Sequence, residues 1–230
     1  MSRADLGKDP EEVSAMFDGV AKRYDILNDL LSLGRTKAWR KIATKIIAPK
    51  SGMKILDIAA GTGSSSRPLK DAGADVIPLD FSKGMLEAGK QRNPDLPFTQ
   101  GDALNLPFKD NEFDVTTISF GLRNTNNIEK ALSEALRVTK SGGRIVVVEF
   151  SHPTNKIFRT IYMKYLMRAL PKIARATSSN PAAYVYLAES IMAWPNQKDL
   201  AAILAKVGWS RVEWHNATFG ITAIHVGHKA

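Results

Sequence analysis

Asp57, Asp80 and Asp102 are the carboxylates of this chain whose spacing suits chemistry. Asp57 stands four residues before Gly61 in the turn Gly61-Thr62-Gly63, Asp80 stands seventeen residues after that turn, and Asp102 follows Gly101. Two glycines permit a tight bend, and Ser64, Ser65 and Ser66 can open a helix whose first N–H groups point at it. In an open α/β sheet, an acid placed like Asp80 accepts two hydrogen bonds from ribose hydroxyls. Asp102 could take an adenine amino group. The third glycine of a dinucleotide fingerprint is replaced by Ser66. Asp57 would repel a pyrophosphate and favour a cationic ligand. The pattern therefore points to S-adenosylmethionine, a nucleoside with a sulfonium and an ammonium, rather than NAD. Each feature also has a plain structural reading: a tight turn, a helix cap and a loop acid.

The elements that must position these residues follow from periodicity. Residues 54–59 read as a strand buried on both faces. Residues 75–79, 97–100, 115–120 and 145–150 read as further strands, alternating with helices over 82–92 and 128–139. Residues 197–207 read as a last helix, and 209–216 and 221–228 as two strands. Ahead of them, Val13, Phe17, Val20, Tyr24, Leu27 and Leu31 recur at three- and four-residue steps, which predicts an amphipathic helix or two short ones over 9–31. Another helix is expected over 37–48. The fold expected is a Rossmann-like α/β domain over 51–230, with residues 1–50 as a helical lid or cap.

Several blocks carry a more specific signal. They are Tyr24-Asp25-Ile26-Leu27-Asn28-Asp29, Leu79-Asp80-Phe81-Ser82, Phe120-Gly121-Leu122-Arg123-Asn124, Glu149-Phe150-Ser151 and Tyr186-Leu187-Ala188-Glu189-Ser190-Ile191. Together they resemble the ubiquinone/menaquinone-biosynthesis C-methyltransferases over nearly the whole chain from Val13. Thr36 stands where that family usually has histidine. The resemblance implies the class I S-adenosylmethionine-dependent fold, a seven-stranded sheet ending in an antiparallel β-hairpin. It also implies methyl transfer to a ring carbon of a polyprenyl quinol. Demethylmenaquinol is preferred to a benzoquinol, since the chain is similar to short family members and begins without an extension or targeting peptide.

By the same resemblance, cofactor contacts fall on Thr62, Asp80, Asp102, Ala103 and Ser119. Those read from the turn itself are Asp57, Gly61 and Gly63. Arg123 is expected to stabilise the quinolate or polarise a water, and Asn124 to orient it, with a structural pair between Arg123 and a carboxylate as the alternative. Tyr24 is expected to position substrate, unless it is simply core. No metal is expected, because the four histidines have no ligand spacing and cysteine is absent.

Net charge is +9 over 230 residues, which suits an anionic partner. From Ser151 to Ala188 there is no acid, while Lys156, Arg159, Lys164, Arg168, Lys172 and Arg175 supply six positive charges. Apolar pairs recur between them about every four residues. This predicts a cationic amphipathic helix, broken at Pro171, within a helical insertion over 151–195. It either roofs the substrate site or docks on an anionic membrane surface through residues 156–175. A nucleic-acid methyltransferase is the competing class. It is disfavoured because the charge lies on one amphipathic helix and no base-methylation motif of the N/D-P-P-Y type is present. Without a signal peptide or spanning segment, a cytoplasmic enzyme at the membrane periphery is expected, and a homodimer is compatible with the sequence.

Overall fold

The computed structural model describes residues 7–18, 32, 34–165, 167 and 181–230. Seven strands form one sheet: β1 (Lys54–Ile58), β2 (Asp75–Asp80), β3 (Thr99–Gln100), β4 (Phe113–Ser119), β5 (Thr139–Phe150), β6 (Ser210–Ala217) and β7 (Thr222–His228). Their order is β3-β2-β1-β4-β5-β7-β6. β1 to β5 pair in parallel, while β7 runs antiparallel to both β5 and β6. The expected sheet with its C-terminal hairpin is therefore present. Strand order reverses between β1 and β4, and crevices at such switch points, beyond the strands' carboxyl ends, are where open α/β sheets bind ligands.

Eight helices accompany the strands among the described residues: α1 (Pro10–Asp18), α2 (Thr36–Ile47), α3 (Ser66–Asp71), α4 (Lys83–Arg92), α5 (Ile128–Val138), α6 (Lys156–Lys164), α7 (Pro181–Met192) and α8 (Gln197–Val207). They divide the core between the two faces of the sheet. Trp39, Ala43 and Ile47 of α2 join Ile55, Val115, Val146, Val148 and α7's Ile191 on one face. Leu132 and Ala135 of α5, with Leu200 and Leu204 of α8, join Leu56, Ile58, Ile118 and Val147 on the other. Successive strand residues alternate sides, so Ile55 and Asp57 share the α2 face while Leu56 and Ile58 take the α5 face.

Local chemistry explains where the elements stop. Asn127 and Asn196 cap α5 and α8 by accepting backbone N–H bonds, as N-cap side chains do. β3 is shorter than expected because the chain turns through Leu96–Phe98, where the Phe98 N–H donates to the Leu96 carbonyl. β5 starts earlier than expected. Val138 leads directly into the strand, and Thr139 pairs with Phe113 before the register shifts. Thr36, at the family's usual histidine position, is buried, its hydroxyl 2.6 Å from that of Ser32. The predicted helix over 9–31 is described only as α1, and Tyr24 lies outside the described residues. So do Arg168, Pro171, Lys172 and Arg175 of the cationic segment.

Candidate active site

A cleft of about 800 Å³ opens beyond the ends of β1, β2 and β4. Gly61, Asp80, Asp102, Ala103 and Asn124 all line it, so five of the residues expected from sequence meet in one cleft. Val13, Ser14 and Phe17 of α1 close it from the side, and Leu79, Met85, Leu104 and Phe120 add apolar surface. A polar edge beside an apolar interior is how small-molecule sites are commonly built.

Asp80 is fixed by backbone donors at the strand end. Its Oδ2 accepts the Gly61 N–H at 2.7 Å and its Oδ1 accepts the Ser82 N–H at 2.9 Å. Burial pushes its carboxyl up, and these backbone donors offset that only in part. Each oxygen keeps a lone pair for a hydroxyl. Asp102 is fixed similarly, with Oδ1 accepting the Leu104 N–H at 2.8 Å. The bend between β1 and α3 requires glycine: Gly63 has φ +78°, and a Cβ there would meet the Phe98 ring at 2.7 Å. Such a backbone is strained for other residues.

Asp57, Thr62, Gly63 and Ser119 do not line this cleft. Asp57 is fully buried on the α2 face, where its Oδ2 accepts the Ser66 hydroxyl at 2.6 Å. Its Oδ1 has no hydrogen-bond partner among the described residues. Desolvation, opposed by the Ser66 bond, pushes its carboxyl up to about 7. The negative charge inferred at the cleft is thus withdrawn beneath the loop, because alternation along β1 turns Asp57 away. Ser119 shares that face with Thr117 and lines a separate small cavity beneath α2 with Arg40 and Thr44.

Arg123 has its guanidinium in the interior, with the residue only 2% exposed. Its Nη1 lies 3.0 Å from Glu149 Oε1 and also donates to the Phe120 carbonyl. The Arg123 N–H donates to Glu149 Oε2 at 3.2 Å. The structural pair weighed from sequence is therefore formed, and it pins the 3-10 turn Leu122–Asn124. Asn124, on that turn, reaches the cleft and accepts the Tyr186 hydroxyl from α7 at 3.2 Å.

Three contributors escaped the sequence reading. Asp18, at the end of α1, accepts the Ser82 hydroxyl and, at 2.9 Å, the Gly84 N–H. This latches α1 onto the start of α4. A Cβ on Gly84 would lie 2.8 Å from that carboxylate. Glu149, the one charged residue in the otherwise apolar stretch 145–150, proves to be the partner of Arg123. Lys8 lines the cleft with its ammonium 5.9 Å from the centre of the Trp194 ring. Burial and the nearby charge of Arg123 push its amine down. A charge in an otherwise apolar segment, as at Glu149, was the one signal available; for Asp18 and Lys8 there was none.

The pattern of the ubiE/COQ5 methyltransferase family matches residues 5–229. The chain belongs to that family. A demethylmenaquinone methyltransferase of Streptomyces avermitilis is 60% identical over 230 residues, the whole of both chains. The enzyme of that name from Mycobacterium tuberculosis is 54% identical over 229 residues, covering 100% of this chain and 97% of the relative. Among solved structures, Haemonchus contortus phosphoethanolamine N-methyltransferase 2 in complex with S-adenosyl-L-methionine superposes with a TM-score of 0.64 at 16% identity. That match covers 85% of this chain and 53% of the other. The CurJ carbon methyltransferase gives 0.63 at 17%, covering 89% and 58%. These distant likenesses bear on the fold, which is that of the class I S-adenosylmethionine-dependent methyltransferases. No helix among the described residues is long and apolar enough to cross a membrane.

Proposed function

We propose that the protein transfers a methyl group from S-adenosylmethionine to a ring carbon of demethylmenaquinol, a polyprenyl naphthoquinol. The observation that carries this reading is the shared cleft. Asp80 and Asp102 line it together with Phe120 and Asn124, in a chain whose full-length relatives bear the demethylmenaquinone methyltransferase name.

The residues present fit the donor. Asp80 accepts the ribose hydroxyls with the lone pairs its backbone donors leave free, Asp102 and Ala103 meet the base, and Gly61 lets the backbone approach closely. Thr62 and Gly63 shape the loop itself, while Asp57 and Ser119 support it from the α2 face. S-adenosylmethionine bound there supplies an electrophilic methyl group. α1, latched through Asp18, serves as the lid over it and excludes water.

On the acceptor side, the chain must favour the ionised quinol, because the oxyanion pushes electron density onto the neighbouring ring carbon. A phenol-like hydroxyl titrates near pH ~10, so at neutral pH a few kcal/mol of stabilisation suffice. Lys8, Arg123 and Glu149 form a cluster of two cations and one carboxylate beside the cleft, leaving a surplus of one positive charge. That surplus favours the quinolate. Arg123 acts mainly by fixing the turn, Asn124 orients the ring hydroxyl, and Tyr24 helps position the substrate. Catalysis is then mostly alignment of carbon and methyl. The protein works from the cytoplasm, docked peripherally through the cationic helix that begins at Lys156, where its lipid substrate resides.

The test is transfer of labelled methyl to reduced demethylmenaquinone and, separately, to a reduced demethylated benzoquinone. Label should enter the naphthoquinol at least tenfold faster. Faster labelling of the benzoquinol would reassign the ring, and labelling of neither would sink the reading.

A further inference from the structure

α6 has two apolar faces, and the fold uses one. Phe158 and Tyr162 turn inward and pack against the core. Ile157 and Ile161, one turn apart, point the other way, 74% and 60% exposed. Lys156 and Lys164 are exposed on that same outward arc. At the α6 N-terminus the corner between β6 and β7 adds Phe219, which is 76% exposed. Its ring stands edge-on to Phe158 with centroids 5.5 Å apart, and its carbonyl accepts the Thr154 N–H at 3.3 Å. Thr218 and Phe219 both have left-handed backbone, φ +47° and +57°. Bulky residues rarely adopt that conformation, so a strained backbone here presents a large aromatic ring to solvent.

We infer that Ile157, Ile161 and Phe219 form a two-element wedge that inserts among the acyl chains of an anionic bilayer while Lys156, Arg159 and Lys164 meet its headgroups. Charge complementarity selects this occupant: no acid interrupts the segment from Ser151 to Ala188. An apolar face rimmed by lysine and arginine suits the boundary between headgroup and acyl chain. The inference rests on the reading of the substrate as a membrane-resident quinol and assigns docking to particular side chains, including one from the C-terminal hairpin. Because apolar insertion contributes, binding should persist in part at salt concentrations that screen the lysines.

The test is flotation of the full chain with phosphatidylcholine vesicles, with and without phosphatidylglycerol. Two variants accompany it, Phe219→Asn and the double variant Ile157→Ser/Ile161→Ser. Asparagine tolerates the left-handed backbone, so the first keeps the fold, which its melting temperature checks. Wild type should float with the phosphatidylglycerol vesicles. Each variant should partition about tenfold less, equivalent to about 1.4 kcal/mol, and still methylate a short-tailed, water-soluble quinol at the wild-type rate. Wild-type flotation by either variant, or none by the wild type, would overturn the wedge. So would a dimer in sedimentation that the variants dissociate, since a second copy would then cover the patch. Failure of the wild type on the short-tailed quinol would instead sink the substrate reading and leave the flotation result standing.

Discussion

Around Asp80 the cleft is built from backbone: Gly61 and Ser82 aim N–H groups at one carboxylate, all within the β1-β2 region. Around Arg123 it is built from side chains that converge from three places, namely the turn after β4, Glu149 on β5 and Tyr186 on α7. The Asp80 end, proposed to hold the donor, is thus local. The Arg123 end, proposed to face the acceptor, depends on distant segments meeting. The difference predicts that changes at the acceptor end damage both fold and turnover, whereas changes at the donor end weaken cofactor binding and leave the fold largely intact.

Arg123→Ala provides the harshest test. Removing one partner of a buried pair leaves Glu149 uncompensated and should cost about 3–5 kcal/mol of stability. Turnover should be lost while the affinity of the remaining folded protein for S-adenosylmethionine stays near normal. Chemical denaturation and calorimetric titration measure the two separately. Full activity in this variant would remove Arg123 from the acceptor end. Asp80→Asn should do the reverse, weakening S-adenosylmethionine by roughly 10–100-fold, the worth of about 1.5–3 kcal/mol in charge-assisted hydrogen bonds. Its melting temperature should move little. A near-normal dissociation constant would break the contrast.

The smallest effect is one of pH. The Asp57 carboxyl is pushed up to about 7 in the folded protein, so folding favours its protonated form. Its contribution to stability is full below the unfolded carboxylate range near pH ~4 and is lost as pH rises through 7. Buried His225 has the opposite sign, its imidazole pushed down by desolvation, so its contribution is lost as pH falls through the ordinary histidine range. Comparing wild type with Asp57→Asn isolates the first: the variant should lack the decline between about pH 4 and 7. Identical melting curves for both would show that Asp57 stays ionised in the folded protein.

The glycine turn, the acids at the strand ends and the alternation of apolar strands with amphipathic helices are local patterns. From them the sheet, the helices α2, α4, α5 and α8, the terminal hairpin, and the Asp80–Asp102 pair were all legible in advance, because a strand's end and a tight bend each constrain only a few neighbouring residues. The direction of Asp57 was open to reading by parity but depended on which face met the cleft. That was decided by where α1, α2 and α3 settled. The partner of Arg123, the latch from Asp18 to Ser82 and Gly84, and the approach of Lys8 join residues 26, 64, 66 and more than 100 positions apart. No spacing in a one-dimensional pattern encodes such meetings. They exist because burying two hydrophobic faces of one sheet forces those segments together, and once buried, each polar group must find a partner there.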